Sequence, residues 1–448
     1  ANVIKLRKGL NIHLKGTAAQ TKRVVGACTE YVVRPDTFEG VVPKLVVHEG
    51  DRVDVGDALF VDKNFPEVRF ASPVSGTVKA VERGERRKIL GIRLQADEVQ
   101  KYHDFGRRDV SSLSSDDVKN ALLEAGLFGY IYQLPYAVST NPQTMPKGIF
   151  VSALRDMPLA NNFEYELQGN ERDFQTGLTA LSKMATTYLG IGKNQKADAL
   201  VNAKDVEVMV FDGPCPAGNV GVQVNHISPV NKGEVVWTVD PTFVIFFGRL
   251  FNTGKVNLLR TIALGGSAMA SPMYVDALIG TPFSVILKDA LTRQEDLRLI
   301  NGNPLTGTKS CLEDSVGVRT SEITAIPEGA DANEMFGWIL PRTNQFSTSR
   351  SYFSWLMGKK AYDLDARVKG GERHIIMSGE YDSVLPMDIY GEFLIKAIIV
   401  GDIDKMEQLG IYEVSPEDFA LAEFVDSSKL ELQRIVRQGL NMLRKENA

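Results

Sequence analysis

The most unusual local composition in the chain is the stretch GPCPAG, which NVGVQVNHISPV follows. Two interpretations of it stay open. In the first, the stretch is a tight turn at the edge of a domain, and Cys215 is a small buried thiol. In the second, it is a flexible loop over a cleft at the carboxyl ends of parallel strands, where open α/β sheets bind ligands. Gly213, Pro214, Cys215, Gly218 and His226 would then line that cleft, with His226 as a hydrogen-bond donor to the ligand.

The residue types that hold metals and clusters lack the usual spacing. The three cysteines, Cys28, Cys215 and Cys311, are far apart and include no CxxC pair. This spacing argues against a disulfide framework, a zinc site or an iron–sulfur cluster held by this chain alone, and it fits a reducing compartment. The five histidines form no HxH or HExxH pair, so no metal site is predicted. The net charge of −5 argues against nucleic acid as a partner.

The hairpin around Lys63 raises the question of a swinging cofactor. VHEGDRVDVGDALFVDKN, ending at Asn64, places Asp62 and Lys63 between two glycine-punctuated strands, as is typical of biotinyl and lipoyl carrier domains. Here Pro73 comes ten residues after Lys63, further away than in the lipoyl pattern, and Pro66 interrupts the returning strand. The hairpin is therefore predicted to be wide, with Lys63 a surface residue available for contact with a partner.

The segment LPRTNQFSTSRSYFSWLMGKK, from Leu340 to Lys360, interleaves aromatic and basic side chains. Such a pattern can stack nucleotide bases, but one short example on an acidic chain more often docks against a partner protein or a membrane surface. We expect a partner contact here, with Arg350 and Trp355 as the contact residues.

The length of 448 residues predicts about three domains. Short β-type runs between glycine and proline turns, from about residue 3 to 105, predict a small all-β sandwich. SSLSSDDVKNALLEAGLFG, starting at Ser111, has a serine cap and acids in its first turn, and it predicts a helix that opens a new domain. Short β runs return at about 260–330. Amphipathic patterns at Met387–Gly410 and Ser427–Asn447 then predict a helical C-terminal part.

The middle of the chain, at about 110–255, has the alternation of an α/β layer. A helix is predicted at about 171–189. The strand candidates are Ile149–Ala153, Val206–Phe211, Gly221–Ile227, Val235–Val239 and Phe243–Phe247. No stretch approaches the roughly 20 apolar residues that span a bilayer, so no transmembrane segment is predicted.

Several specific motifs follow one another along nearly the whole chain. They are KLRKGLNI, HEGDRVDVGDALFVDK, FDGPCPAGNVGVQVNHISPV, GRLFNTGKVNLLRTIALGGS, NGNPLTG, FGWILP and LPMDIYGEFLIKAIIVGDIDKMEQLG. Together they resemble the A subunit of the bacterial sodium-translocating NADH:quinone reductase, a family related to the C subunit of the Rnf complex and to the NADH-binding flavoprotein subunit of respiratory complex I.

The resemblance implies a multidomain α/β chain, α+β overall. Its domains would be a barrel-sandwich hybrid of the biotinyl/lipoyl type at 1–105, a Rossmann-like α/β domain at 110–255, a ubiquitin-like β-grasp domain of the SLBB type at 256–330 and a helical domain at 331–448.

Two motifs of the relatives are lost in this chain. In the nucleotide-binding relatives, a loop resembling GLGGAGFP follows a helix ending in AG, and its backbone amides approach the phosphates of flavin or dinucleotide. Here the loop is LFGYIYQLPYA, Leu127–Ala137, where only Gly129 remains among bulky side chains. We therefore expect no NADH or FMN site at this loop. Many family members also have a cysteine in the motif FVC, where this chain has Asp426, so the resemblance implies no iron–sulfur cluster here.

The resemblance implies a peripheral subunit on the cytoplasmic face of the bacterial inner membrane, in a complex that oxidises NADH, reduces a quinone such as ubiquinone and exports sodium ions. NADH, FAD, FMN and iron–sulfur centres are then expected on partner subunits, and the isolated chain is expected to bind no redox cofactor and to be non-catalytic. The resemblance leaves one ligand role open for this chain, which is quinone binding beside Gly218 and His226. The alternatives are an independent flavin- or NAD-binding oxidoreductase of the Rnf or complex I type, which the filled loop disfavours, and a biotinyl or lipoyl carrier, which rests on Lys63 alone.

Overall fold

The computed structural model describes residues 2–330, 335–337 and 339–448, so the predicted start of the C-terminal domain at 331 lies outside the described residues. The strands are β1 Asn2–Lys5, β2 Ala19–Arg23, β3 Glu30–Val33, β4 Pro43–Leu45, β5 Arg52–Val53, β6 Ala58–Asp62, β7 Arg69–Ala71, β8 Gly76–Arg83, β9 Ile89–Ala96, β10 Tyr132–Leu134, β11 Val138–Ser139, β12 Ile149–Ser152, β13 Thr187–Gly192, β14 Glu207–Asp212, β15 Val236–Val239, β16 Leu259–Gly265, β17 Met273–Leu278, β18 Leu297–Asn301, β19 Thr308–Ser310 and β20 Glu322–Pro327. The α-helices are α1 Ser115–Glu124, α2 Phe163–Leu167, α3 Glu171–Met184, α4 Asp198–Val201, α5 Val220–Ile227, α6 Pro241–Thr253, α7 Phe283–Ile286, α8 Glu380–Val384, α9 Gly391–Val400, α10 Ile403–Gln408, α11 Ala420–Val425 and α12 Leu432–Glu446.

The central sheet runs in the order β1-β14-β13-β12-β15-β10-β11 among the described strands. From β1 to β15 its neighbours are parallel, and β10 joins β15 antiparallel. Because β13 and β15 flank β12 on opposite sides, the strand order reverses at β12. The carboxyl ends of β12 and β15 therefore form a switch point, where open sheets leave a crevice.

Apolar side chains cover both faces of this sheet. Helices α3 and α6 cover one face with side chains such as Phe174, Leu178 and Phe246. Helix α5 and the C-terminal helices cover the other, where Val222 and Leu394 belong to one core with Phe150 and Phe211. The C-terminal helices thus complete the α/β layer rather than forming a separate body.

The N-terminal sandwich consists of the sheets β3-β9-β8-β5 and β4-β6-β7. Phe60 and Phe70 stack inside it with ring centroids 4.5 Å apart. Two strands from the first 25 residues do not join this sandwich: β1 pairs with β14 of the central sheet, and β2 pairs with β17. The beginning of the chain therefore ties three domains together.

The β-grasp sheet has the order β19-β18-β20-β16-β17-β2 in the described residues. The ladder from β16 to β20 is parallel and the ladder from β16 to β17 is antiparallel. Its core packs Ile262, Val275 and Ile323 against α7, which contributes Phe283. In the described residues after β20, turns and short helices come before the longer helices α9 and α12.

Two strand predictions are wrong. Gly221–Ile227 lies in helix α5, and Phe243–Phe247 lies in helix α6. Both helices are buried along most of their length, so their apolar runs lack the spacing of a half-exposed helix. The signals that bound α6 are local: Asp240 caps it with Pro241 in its first turn, and Gly254 ends it in the left-handed conformation.

Helix α1 is confirmed, with a capping box between Ser114 and Asp117. The helix predicted at 171–189 ends earlier, at Met184, because the following residues enter β13.

Candidate functional site

A cleft of about 1380 Å³ lies at the switch point of the central sheet. The α/β domain lines it with residues that follow β12 and β15, including Arg155, Asp156 and Asp240. The β-grasp domain adds Arg319, and the helix α12 adds Arg437. The N-terminal sandwich also contributes to the lining, so all four domains build the site and none of them encloses it alone.

The bottom of the cleft is a paired charge cluster, here called the cleft floor and defined as Arg155, Glu166, Asp240, Thr242 and Arg260. Arg155 donates to Glu166 and to Asp240 at 2.9 Å each. Thr242 Oγ1 donates to Glu166 at 2.6 Å and accepts from Arg260 at 3.1 Å. Every charge of the floor thus has a partner of opposite sign or a hydrogen bond, as burial demands.

The floor charges also shift one another's pKa. Burial would raise the pKa of Asp240, but the positive charges of Arg155 and Arg260 outweigh it and hold that pKa below its usual value. Burial lowers the pKa of Arg260, and the neighbouring carboxylates Glu166 and Asp240 oppose the change. These ion pairs and hydrogen bonds join the ends of β12 and β15 to β16.

The loop Leu127–Ala137 is closed by its own side chains. Tyr130 packs edge-on against Phe38 at 5.2 Å and against Phe243 at 4.9 Å between ring centroids. The backbone N–H groups of Tyr130 and Ile131 donate to carbonyls of the same loop. A Cβ added at Gly129 would lie 2.4 Å from the ring of Phe70. The N–H groups of Tyr130 and Ile131 and the space beside Gly129 are therefore already taken.

The stretch from Gly213 to Gly218 is a packed turn. Cys215 is 1% exposed, its N–H donates to Asn11 Oδ1 at 3.0 Å, and its sulfur lies 3.7 Å from that of Met157. Burial raises the pKa of the Cys215 thiol, so it is a poor nucleophile. Gly213 and Pro214 lie with it behind the cleft wall. Of the five predicted cleft residues, only Gly218 lines the cleft, where its N–H donates to Asp156 at 3.0 Å.

His226 lies on the far side of α5 from the cleft. Its Nε2 is 2.7 Å from the carbonyl oxygen of Pro386, in the C-terminal part. The neighbouring Asn225 donates to Glu413 at 3.0 Å and accepts from the N–H of Asp388. These contacts place His226 at a docking surface between domains, apart from Gly218.

Two carboxyl groups beside the cleft have raised pKa values. Burial, with a further contribution from Glu417, raises the pKa of Asp418 to about 7, although Ser415 and Asn219 donate hydrogen bonds to it. Burial raises the pKa of Asp156 to about 6, and the Oδ1 atom of that residue has no hydrogen-bond partner in the described structure. Asp418 lies at the start of α5, against Gly221.

The predicted partner-contact residues lie on the surface, outside the cleft lining. Lys63 is exposed where β6 ends. The guanidinium of Arg350 lies 5.1 Å from the ring centroid of Trp355, which is 47% exposed. Asp426, at the position of the cysteine in FVC, is 2% exposed and accepts from the N–H groups of Ser428 and Leu430.

Sequence reasoning missed Arg155, Arg319 and Arg437 because they come from three domains and carry no motif. Gly218 differs from them, because the unusual composition of its turn identified it as a candidate. For Arg155 the one local signal was the end of β12, after which polar residues follow an apolar strand.

The fold defines a class: a multidomain chain in which a barrel-sandwich domain, an α/β domain, a β-grasp domain and C-terminal helices meet at one charged cleft. No helix in the described residues is long and apolar enough to cross a membrane, and no group of three His, Cys, Asp or Glu side chains in that part could hold a metal ion.

Family models identify the particular lineage. They match as the NqrA N-terminal barrel-sandwich hybrid domain at 4–97, the NqrA second alpha/beta domain at 113–256 and the NQRA C-terminal domain at 261–311. The A subunit of the Na(+)-translocating NADH-quinone reductase of Neisseria meningitidis serogroup B is 33% identical, over 99% of this chain and 100% of that protein. The same subunit of Haemophilus influenzae (strain PittGG) is 32% identical, over the same shares of each chain. The chain therefore belongs to the NqrA family, the A subunits of Na(+)-translocating NADH-quinone reductases.

Among solved structures, an NAD+-reducing [NiFe]-hydrogenase chain is 10% identical, with a TM-score of 0.34 over 49% of this chain and 48% of that chain. A likeness this low carries no argument.

Proposed function

We propose that this chain is a peripheral subunit on the cytoplasmic face of a sodium-translocating NADH:quinone reductase, and that it holds no redox cofactor of its own. NADH, FAD, FMN and iron–sulfur centres would reside on partner subunits, and the isolated chain would be non-catalytic. The observation that carries the proposal is the closed loop Leu127–Ala137.

A dinucleotide or flavin phosphate binds to backbone N–H groups that point into open space, usually beside glycine. In this loop the N–H groups of Tyr130 and Ile131 are already donating within the loop, and the ring of Phe70 fills the space at Gly129. Opening the loop would expose Tyr130, which is 2% exposed, and would break its aromatic contacts. The cost of that opening disfavours binding.

Calorimetric titration of the purified chain with NADH and with FMN tests the loop. We expect no binding heat for either compound, no visible absorbance of the purified chain, and an intact mass equal to that of the unmodified sequence. Tight binding of NADH or FMN would refute the proposal. A mass increase matching biotin or lipoate on Lys63 would instead establish the carrier alternative.

We also propose that the exposed segment around Arg350 and Trp355 contacts a partner subunit. Phe353, Trp355, Leu356 and Met357 are each at least 47% exposed, and water-exposed apolar clusters of this kind mark interaction sites. Lys63 is a second candidate contact on the sandwich.

Co-purification of the assembled complex tests this surface. Trp355→Ala and Arg350→Glu are expected to leave the chain folded but to reduce its recovery with the other subunits. Arg172→Glu, the same charge change at an exposed position of α3, is the matched control and should assemble normally. Normal recovery of both surface variants would remove the proposal.

A contribution to quinone binding is the second candidate function. Leu134, Leu154, Met157, Val220 and Leu305 form an apolar wall of the cleft beside Gly218, and quinone sites are largely apolar with few polar anchors. Photolabelling of the whole complex with an azido-quinone should then modify peptides that contain these residues. Labelling confined to other subunits would contradict this role.

A further inference from the structure

The cleft has a second pair of arginines, above the floor. This rim pair consists of Arg319, from the loop before β20, and Arg437, from α12. Both contact the β10–β11 hairpin. The guanidinium of Arg319 lies 3.8 Å from the ring centroid of Tyr132, and Arg437 donates to the carbonyl oxygens of Tyr136 and Ala137 at 2.9 Å each.

The charges of the rim pair are not balanced by close carboxylates. In the described part of the chain, no carboxylate lies within the 4.0 Å of an ion pair from Arg319, which stays water-accessible in the cleft. Glu39 lies 3.6 Å from Arg437, and it is half-exposed. Burial lowers the pKa of Arg437, and repulsion from Arg319 adds to that effect. Within 4.0 Å, the described residues therefore give the two guanidinium groups one carboxylate, Glu39, while Glu417 and Asp240 act electrostatically on Arg319 from further away.

Such a pair is suited to hold an anion. Guanidinium groups bind carboxylate or phosphate through paired N–H donors, and the anion would remove the repulsion between the two cations. Tyr132 holds Arg319 by its ring face, and the hairpin carbonyls hold Arg437, so both groups are positioned before a ligand arrives.

The surroundings limit the kind of anion. The cleft is also lined by carboxylates, among them Asp36, Glu322 and Glu417. These would repel a polyphosphate more strongly than a single oxyanion group, because a polyphosphate carries more negative charge. We propose that the rim pair is a binding site for a small polar molecule that carries a single carboxylate or phosphate group. This site is separate from the closed loop and does not depend on the proposed absence of a redox cofactor.

Calorimetric titration of the full chain tests the site, with sodium acetate and sodium phosphate as probes and sodium chloride at equal ionic strength as the reference. Binding of acetate, of phosphate or of both beyond the chloride reference supports the proposal, and it identifies which oxyanion is preferred. No response to either probe overturns it.

Three variants locate the response. Arg319→Gln is expected to weaken probe binding by about tenfold or more, since it removes one charged donor group. Arg319→Lys keeps the charge but loses the planar fork, so it should bind with an intermediate constant. Arg434→Gln is the matched control, because Arg434 is on the same helix and lines the same cleft but pairs with Glu431. If Arg319→Gln binds like the wild type, or if Arg434→Gln loses as much, the assignment is wrong.

Discussion

The cleft floor and the rim pair each contain two arginines, but their charges are balanced in opposite ways: Arg260 of the floor is fully buried, whereas both rim arginines line the cavity. At the floor, Arg155 and Arg260 share Glu166 and Asp240, and Thr242 completes the hydrogen bonds. At the rim, Arg319 contacts an aromatic ring and Arg437 contacts carbonyls. A charge buried at the floor must be paired to be tolerated, whereas water solvates a charge at the rim. The floor therefore stabilises the fold, and the rim is free to bind.

The largest expected effect is at the floor. Arg155→Met would leave the buried Glu166 without its closest cation, and we expect it to lower the free energy of unfolding by about 3–5 kcal/mol. Urea denaturation followed by circular dichroism measures this. The control Arg172→Met, at an exposed position, should change the value by less than about 0.5 kcal/mol.

A double variant tests whether the pairing of Arg155 with Glu166 is what stabilises the floor. If pairing is what stabilises the floor, Arg155→Met combined with Glu166→Gln should cost clearly less than the sum of the two single changes. Additive costs would mean that Arg155 acts through packing, and the contrast between floor and rim would lose its basis.

The next largest effect is expected at Asp418, which is buried without a cation beside it. There the free energy of unfolding should depend on pH. Its pKa is raised from 3.8 to about 7, so between those values the folded protein holds a proton that the unfolded chain has lost. The proton bound to Asp418 therefore contributes stability that is full at low pH and is lost as pH rises towards 7. The free energy of unfolding should fall with a slope of at most about 1.4 kcal/mol per pH unit.

Asp418→Asn should remove that slope. The free energy of unfolding, measured at several pH values from 4 to 7, is expected to decline less steeply in this variant than in the wild type. Asp404→Asn, at an exposed position, should follow the wild-type curve. Parallel curves for Asp418→Asn and the wild type would show that the buried carboxyl does not titrate in this range.

The smallest effect is expected at the rim. In chloride alone, Arg319→Gln should change the free energy of unfolding by less than about 1 kcal/mol, because it loses only the contact with the ring of Tyr132. Urea denaturation beside Arg155→Met gives the direct comparison. A loss as large as that at the floor would make Arg319 a structural residue.

Much of the architecture could be predicted from local patterns. The capping residues Ser114 and Asp117 identified α1, and the glycine-punctuated strands identified the sandwich. The failures came where burial removes periodicity: α5 and α6 contact the core on nearly every side, so their apolar runs looked like strands.

The sequence by itself determined helix α1, the lack of a glycine-rich loop after Gly126 and the membership of the family, because each depends on neighbouring residues or on collinear motifs. Only the tertiary structure decided that β1 joins the central sheet, that Cys215 is packed behind Gly218, and that Arg155, Arg319 and Arg437 meet at one cleft. Those placements depend on contacts between residues far apart in the chain, for which local spacing carries no signal.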